Sequence, residues 1–431
     1  MEKNKKEAVK SIVLGILVIL SIYLYYKVYF NYDLKDFAIA LNGSYSRLSE
    51  DDLIAKAHIV LATPENMYLN ISKNVVIGIL STQKEYFDVL SKFVKKIKEV
   101  VVKKNYSLKF MKVKIDYFKS NRGLIFDYGY FIDFNTFVYE LTKRNVLPSR
   151  KDFRFDRVFI KENGSDTEVY FFSSIAEEAA VMSFGGDAFS QLEDRIEQKP
   201  SFVFSWSDGL GFTDLVSKDA LIPVEFSNVQ FSEIRIKESD YKKDLIIRRL
   251  FPDTILTKKN VFKNGEIVIT DERREFVIKP DGGYIFRFTK DIFCDRIESI
   301  TEALIGYMKN FYTNEDIRIC KIENTRDATR IYLISRSGGI DILPQDGNWC
   351  VYIEISGGKL KKVEGHIFDV VAVRTSRIKV DGMSAIDTIK ERKGDIFIKD
   401  LSLRYIAGEK PSYPYWEIST DSGTVYVETI K

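Results

Sequence analysis

Three kinds of hydrophobic pattern follow one another along this chain. The first is a continuous apolar run from Ser11 to Phe30, SIVLGILVILSIYLYYKVYF, which contains no proline and no acidic residue. Twenty residues at about 1.5 Å each span roughly 30 Å as a helix, which matches the hydrocarbon core of a bilayer. The other two patterns, helical spacing and strict alternation, fill the remaining chain and predict a folded part built from helices and strands.

The run from Ser11 to Phe30 predicts an uncleaved transmembrane helix. Its single charge, Lys27, lies near one end among four tyrosines, as is common at a membrane interface. A signal peptide would need a shorter apolar run and a small-x-small cleavage site, and a core helix rarely follows a lysine cluster this early. The lysines of residues 1–10 predict a cytoplasmic tail, so that Asn31–Lys431 lies outside the cytoplasm.

Ser11 and Gly15 form a small-xxx-small pair on one side of this predicted transmembrane helix, and Val18 and Ser21 continue that side. At about 100° per residue, four residues fall within roughly a third of its circumference: Ser11, Gly15, Val18 and Ser21. Membrane helices associate through close backbone approach and serine hydrogen bonds, because lipid tails are as apolar as leucine. These four residues are therefore a candidate helix–helix contact. The alternative is that Gly15 is incidental, since glycine is common in membrane helices.

Helical spacing predicts several helices beyond residue 80. The clearest follows a capping-box pattern at Thr82 and Glu85, and its apolar positions recur every three or four residues. These positions are Tyr86, Val89, Leu90, Phe93, Ile97, Val100 and Val101. A second capping box, Ser299 and Glu302, predicts a helix to about Phe311. The segment Ile175–Phe184, followed by two glycines, is also predicted as a helix.

Alternation of apolar and polar residues predicts strands over most of the remaining chain. His58–Ser72 is predicted as two short strands interrupted at Pro64, and Gly123–Phe134 as one long aromatic strand. A hairpin is predicted around Asn163-Gly164, a favoured turn pair. Val261–Phe288 is predicted as a three-stranded meander, and the chain ends in two strands after Pro414.

These elements predict an α+β fold of antiparallel or mixed sheets with helices on one face. We divide the chain into a cytoplasmic tail (1–10), a transmembrane helix (11–30), and two to three extracytoplasmic domains. The latter are a first domain (31–148), a middle domain (149–258) and a C-terminal domain (259–431) with helix-plus-strands modules.

The residues that carry chemistry do not form a known catalytic or metal-binding motif. The chain has 65 basic and 62 acidic residues, so it lacks the basic excess of a nucleic-acid binder. Its two histidines, His58 and His366, stand in no H-E-x-x-H pattern, and no G-x-S-x-G or P-loop sequence occurs. We therefore predict no catalytic residue, no cofactor and no metal. A glycosidase needs two carboxylates in one cleft, and sequence alone cannot tell whether two of the many Asp and Glu residues meet in this way. A cell-wall hydrolase therefore stays open as an alternative.

The three cysteines lie far apart in the sequence. Cys294, Cys320 and Cys350 match neither a zinc spacing nor a disulfide framework. Buried free thiols are favoured over one bridge with one free thiol, and the sequence leaves the disulfide state open.

Several segments resemble the YycH/YycI family of membrane-anchored regulators of two-component systems. The last module, with LSLRY from Leu401 and PYWEISTDSGTVYV from Pro414, resembles the end of YycI-type proteins and the wider PepSY-like unit. ITDERREFVIKPDGGYIFRF, HIVLATPENMYLNIS and GLIFDYGYFIDF resemble parts of YycH. The resemblance covers most of the chain and does not decide between the YycH and YycI types.

The resemblance implies a non-enzymatic regulator of a sensor histidine kinase that controls cell-wall metabolism. Such a protein contacts the kinase, and a paralogous YycH/YycI-type protein, through its transmembrane and extracytoplasmic parts. It implies no catalytic residues. Two alternatives from other classes remain at this point: an extracytoplasmic cell-wall enzyme, and a ligand-binding or structural envelope protein.

Overall fold

The computed structural model describes residues 49–146, 152–198, 202–210, 215–226, 230–253, 255–311, 316–344, 350–377, 382–394, 396–408 and 410–429. The chain divides into two compact units, Met1–Asp52 and Leu53–Lys431. The predicted transmembrane helix Ser11–Phe30 lies outside the described residues. Among the helices within those ranges, none combines the length and the apolar character needed to cross a membrane.

Eight α-helices lie in the described part of the chain. They are α1 (Glu50–Ala62), α2 (Lys84–Lys103), α3 (Ile115–Lys119), α4 (Phe134–Thr142), α5 (Ser190–Glu197), α6 (Asp240–Leu250), α7 (Ile300–Asn310) and α8 (Gly382–Lys393).

The strands of the first sheet are β1 (Asn66–Ser72), β2 (Val75–Ile79), β3 (Ser107–Lys112), β4 (Gly123–Asp133), β5 (Arg154–Asn163), β6 (Asp166–Ser173), β7 (Glu178–Gly185), β8 (Phe202–Trp206) and β9 (Leu221–Phe226). They lie in the order β3-β7-β6-β5-β4-β1-β2-β8-β9, and each neighbouring pair is antiparallel. Strands on both sides of residue 148 share this sheet. The domain boundaries near residues 148 and 258 stay predictions.

A two-stranded ribbon joins β10 (Gln230–Glu238) to β20 (Phe368–Arg377). The second sheet runs in the order β11-β12-β13-β14-β19-β18-β16-β17-β21-β22-β23, with β15 paired to β16. Its strands are β11 (Lys258–Val261), β12 (Ile267–Thr270), β13 (Arg274–Ile278), β14 (Gly283–Phe288), β15 (Asp316–Asn324), β16 (Ala328–Ser337), β17 (Ile340–Leu343), β18 (Val351–Ser356), β19 (Lys359–His366), β21 (Ile398–Ile406), β22 (Tyr415–Thr420) and β23 (Gly423–Glu428). Because β17 and β21 are parallel, this sheet is mixed. The α+β class is confirmed.

Helix α2 packs on the first sheet through the stripe that the sequence predicted. All seven of its predicted apolar positions are buried, and the ring of Phe93 lies 5.0 Å from that of Phe126 on β4. The predicted capping box is wrong, because the N-cap lies one residue later than Thr82. Gln83 is the N-cap residue without a side-chain cap, and its Oε1 accepts instead from the Leu80 N–H at 2.8 Å.

Two element predictions are wrong. The first half of His58–Ser72 belongs to α1, which opens with acidic residues that suit a helix start and ends before Pro64. Ile175–Phe184 forms no helix, because β7 occupies Glu178–Gly185. That strand is buried on both faces, and such a strand gives an apolar run that periodicity cannot tell from a helix.

Helices also lie on both faces of the first sheet, not on one face as predicted. Helices α1, α2, α4 and α5 pack on the face that contains Phe126. The short helix α3 packs on the other face, where the Phe118 ring lies 4.8 Å from Phe159 and 4.9 Å from Phe172. This placement buries the side chain of Phe118, which is 2% exposed.

The predicted meander is confirmed with one strand more than expected. VFKNGEIVIT is not a single strand: it starts at Val261, the last residue of β11, and continues through the turn into β12. The meander packs against the end of α7, where the Phe311 ring stacks 5.6 Å from Tyr284. Trp416 of β22 is 2% exposed and lies in a separate cluster around the last strands, as a packing residue should.

Candidate functional site

A buried charge junction connects the turn after α1 with the second sheet. Glu65 lies just before β1, Arg318 on β15, Asp341 on β17 and Arg404 on β21. Arg318 Nη2 donates to Glu65 Oε2 at 3.0 Å, and Arg404 Nη1 donates to Asp341 Oδ2 at 2.7 Å. Arg404 also binds Glu65, and Arg318 also binds Asp341. Each arginine therefore bridges the same two carboxylates.

The junction is closed by neighbours on both sides. Arg404 Nε donates to Glu417 Oε2 on β22 at 2.8 Å. Arg336 lies 3.6 Å from Asp341 and donates to the Tyr86 hydroxyl at 3.2 Å, which brings α2 into the network. The side chains of Arg318 and Asp341 are 3% and 2% exposed. A buried pair of this kind is costly to break, because a lone buried charge remains.

The electrostatics of the junction favour a fixed charge state. Burial alone would raise the pKa of the Asp341 carboxyl, but Arg318 and Arg404 outweigh it and hold that pKa below its usual range. A carboxylate held ionised in this way is unsuited to proton transfer near neutral pH. The junction therefore acts as a structural connection between the two sheets.

The backbone of β4 is shaped to admit Glu65. The pairing of β4 with β5 is irregular between Asp127 and Ile132, and Gly129 in this bulge has φ +70°. A Cβ atom at Gly129 would overlap the Glu65 carboxylate. Glycine is required here both for the left-handed backbone and for the close approach.

A second connection caps α7 from across the molecule. The buried carboxylate of Glu140, on α4, accepts from the Ile300 N–H at 2.7 Å and from the Thr301 N–H at 3.0 Å. Ser299 Oγ accepts from the Glu302 N–H at 3.2 Å, as the second capping box predicted. The free N–H groups of a helix start need acceptors, and a carboxylate there also suits the helix dipole.

Asp400 differs from the carboxylates of the junction. It lies on β21, four residues before Arg404, and its own side chain is exposed. Burial of the surrounding backbone, followed by the carboxylates of Asp127 and Glu65, acts to raise the pKa of Asp400, and the water that reaches the exposed side chain opposes this. Asp127 pairs with Arg157 on the adjacent strand, with Nε 3.3 Å from Oδ2.

The two histidines occupy unrelated environments. His58 is buried in α1, and its Nε2 lies 3.1 Å from the Glu140 carbonyl oxygen. Burial, followed by the charge of Lys98, lowers the pKa of His58 to about 4. His366 is exposed at the end of β19. In the described ranges, no group of three or more His, Cys, Asp or Glu residues is arranged to hold a metal ion.

Within the described residues, the three cysteines are thiols and belong to no disulfide. Cys350 is buried, and Cys294 and Cys320 are half-buried. Burial raises the pKa of the Cys320 thiol to about 12, so it is a poor nucleophile. The candidate helix–helix residues Ser11, Gly15, Val18 and Ser21 lie outside the described residues.

Sequence reasoning missed the junction because its members are distant along the chain. Glu65 and Arg404 are 339 positions apart, and no spacing rule connects them. One signal was present: Asp341 is a single acid in an otherwise apolar strand, IDIL, and all four of its residues are buried. A lone charge inside a buried strand indicates a buried partner.

The fold has a relative among solved structures. No protein-family profile matches the chain, and no curated protein matches it either. The chain is similar in fold to the crystal structure of YycH from Bacillus subtilis, with a TM-score of 0.58 at 12% sequence identity. The match covers 85% of this chain and 96% of that one. The chain therefore has a YycH-like fold, as the sequence resemblance predicted.

Proposed function

We propose that this protein is a non-enzymatic regulator, anchored in the bacterial cell membrane, that modulates a sensor histidine kinase of a two-component system controlling cell-wall metabolism. The observation that supports this most is the YycH-like fold, which extends over 85% of the chain. The family resemblance of the sequence implies the same function. A paralogous protein of the YycH/YycI type is a further partner in this proposal.

The connections between the sheets fit a protein that acts as a rigid extracytoplasmic body. Glu65, just before β1 of the first sheet, binds Arg318 of the second sheet. Glu140, on α4 beside the first sheet, caps the start of α7. Buried ionic contacts of this kind resist separation of the parts they join. A body whose parts keep their arrangement can transfer a displacement from its surface to an attached membrane helix.

The anchor is the part that we propose to contact the kinase within the membrane. The small-xxx-small pair Ser11 and Gly15 permits close approach of a second helix, on a side that Val18 and Ser21 continue. Gly15→Leu would separate the backbones, while insertion of the helix should persist because leucine is more apolar than glycine. Val13→Leu is a matched control, because it adds bulk on the opposite side of the helix.

The test is reconstitution of the full chain with the sensor kinase of its own host in proteoliposomes, with kinase autophosphorylation as the readout. We expect the chain to change the autophosphorylation rate, Gly15→Leu to reduce that change, and Val13→Leu to preserve it. An identical rate with and without the chain would contradict the regulatory function. Release of soluble fragments from purified cell-wall material would instead support the hydrolase alternative.

A further inference from the structure

An exposed apolar patch lies at the free edge of the second sheet. Strand β11 ends the described sheet order, so one of its edges has no partner strand there. Ile255 is 91% exposed, Leu256 64%, Val261 68% and Phe262 50%. Apolar side chains that protrude singly are ordinary, but a contiguous group rimmed by charge indicates an interaction surface. We call residues 255–263 the edge patch.

The hairpin that carries the edge patch is well defined by hydrogen bonds. The Phe262 N–H donates to the Glu266 carbonyl at 2.8 Å, and the Gly265 N–H donates to the Phe262 carbonyl at 3.0 Å. Gly265 has φ +84°, which favours glycine in this turn. The apolar side chains are therefore presented by a regular hairpin, and their exposure is a feature of the folded chain.

The edge patch is also positively charged. Lys258, Lys259 and Lys263 are exposed, and residues 255–265 contain no acidic residue. Lysines beside protruding aliphatic and aromatic side chains are typical of segments that lie at the surface of an anionic membrane. We propose that the edge patch rests on an anionic lipid surface.

The same features disfavour a protein strand as the occupant. Lysines on an edge strand oppose the addition of another strand. A second copy of this chain would bring three lysines of each copy together, and like charges side by side are unfavourable. A lipid surface that carries negative headgroups instead complements all three lysines at once.

The depth of contact follows from the backbone of β11. The unpaired N–H and C=O groups of an edge strand cannot enter the hydrocarbon layer without large cost. The strand must therefore stay among the headgroups, where lysines and water satisfy it. Only side chains such as Val261 and Phe262 reach the acyl boundary.

The test uses the full chain in liposomes, with the photoreactive residue p-benzoylphenylalanine in place of Phe262. The liposomes contain phosphatidylcholine either alone or with about 30% phosphatidylglycerol, and adducts are identified by mass spectrometry. We expect lipid adducts at position 262 that increase with phosphatidylglycerol and decrease at high salt. The matched control places the same residue at Ile175, which is 80% exposed in a turn elsewhere, and should give no lipid adduct.

The lysines provide a second arm of this experiment. Replacing Lys258, Lys259 and Lys263 with Gln should lower the yield of lipid adduct at position 262 by at least about tenfold, because each lysine near an anionic surface contributes about fivefold. Adducts between two chains would overturn the proposal in favour of self-association. Equal yields at positions 262 and 175 would overturn it as well.

This inference rests on the proposed membrane anchor, which holds the chain near a bilayer. Flotation of the chain with the liposomes reports the anchor separately. A chain that floats without a lipid adduct at position 262 contradicts the edge patch alone.

Discussion

Removal of the Glu140 carboxylate should loosen the first turn of α7. Glu140 is 3% exposed, and the two N–H groups that it accepts from, on Ile300 and Thr301, belong to residues that are 4% and 3% exposed. In Glu140→Ala both donors lose their acceptor in a place that water reaches poorly. The change therefore tests whether a side chain 160 positions away holds this helix start.

The expected magnitude follows from the two hydrogen bonds. A buried donor left without a partner costs about 1–3 kcal/mol, and the helix dipole adds a few tenths for a carboxylate at this position. Partial entry of water reduces the sum, so we expect the local opening free energy of α7 to fall by about 2–4 kcal/mol. At about 1.36 kcal/mol per tenfold, this is roughly a 30- to 900-fold acceleration of amide exchange.

The assay is hydrogen–deuterium exchange with mass spectrometry on the full chain in detergent, read on peptides from residues 300–310. Glu140→Gln keeps one acceptor and should give about half of the effect in free energy. Glu99→Ala is the matched control, because Glu99 is also a helical glutamate but faces solvent, bound to Lys103 at 2.8 Å. Wild-type exchange of α7 in a folded Glu140→Ala protein would refute the capping argument.

Three further predictions concern the last module, pH and topology. Trp416→Ala should destabilise the protein by about 3–5 kcal/mol in urea unfolding, while Tyr426→Ala, at a 39% exposed site, should cost less than about 1 kcal/mol. Because the pKa of His58 is lowered in the folded chain, only the unfolded chain takes up this proton between about pH 6.5 and 4. The free energy of unfolding therefore decreases as the pH is lowered through this window. His58→Gln should remove up to about 2 kcal/mol of the stability difference between pH 7.5 and pH 5, and an unchanged difference would show that His58 is not the group responsible. A periplasm-active phosphatase fused after Lys431 should be active, and a fluorescent cytoplasmic reporter at the same position should be dark.

Local patterns predicted those elements whose two faces differ. Helix α2 has one solvent-exposed and one buried face, so the spacing of its apolar residues predicted both that it is a helix and which residues are buried. The hairpin β5–β6 was predicted from a turn pair between alternating strands. In each case neighbours in sequence carry the whole signal.

The errors occur where distant contacts decide the structure. Strand β7 looks helical because both of its faces are covered, by parts of the chain that the sequence does not mark as neighbours. The same holds for the charge junction. Nothing in the sequence around Arg318 distinguishes it from other strand arginines, because its partners Glu65 and Asp341 are distant along the chain. The family resemblance supplied the overall fold, but not these contacts.

The ribbon of β10 and β20 sets an order of events during synthesis. Ser232 and Thr375 share a hydrogen bond across 143 positions, and Ile236 pairs with Val370. At about 5–20 residues per second, β10 therefore waits roughly 7 to 29 s before its partner strand has been made. Contacts this far apart also slow folding, because loop closure comes before any gain. During that interval both edges of β10 are without the strand that pairs with it in the folded chain, and unpaired strand edges of this kind make a nascent chain prone to aggregation.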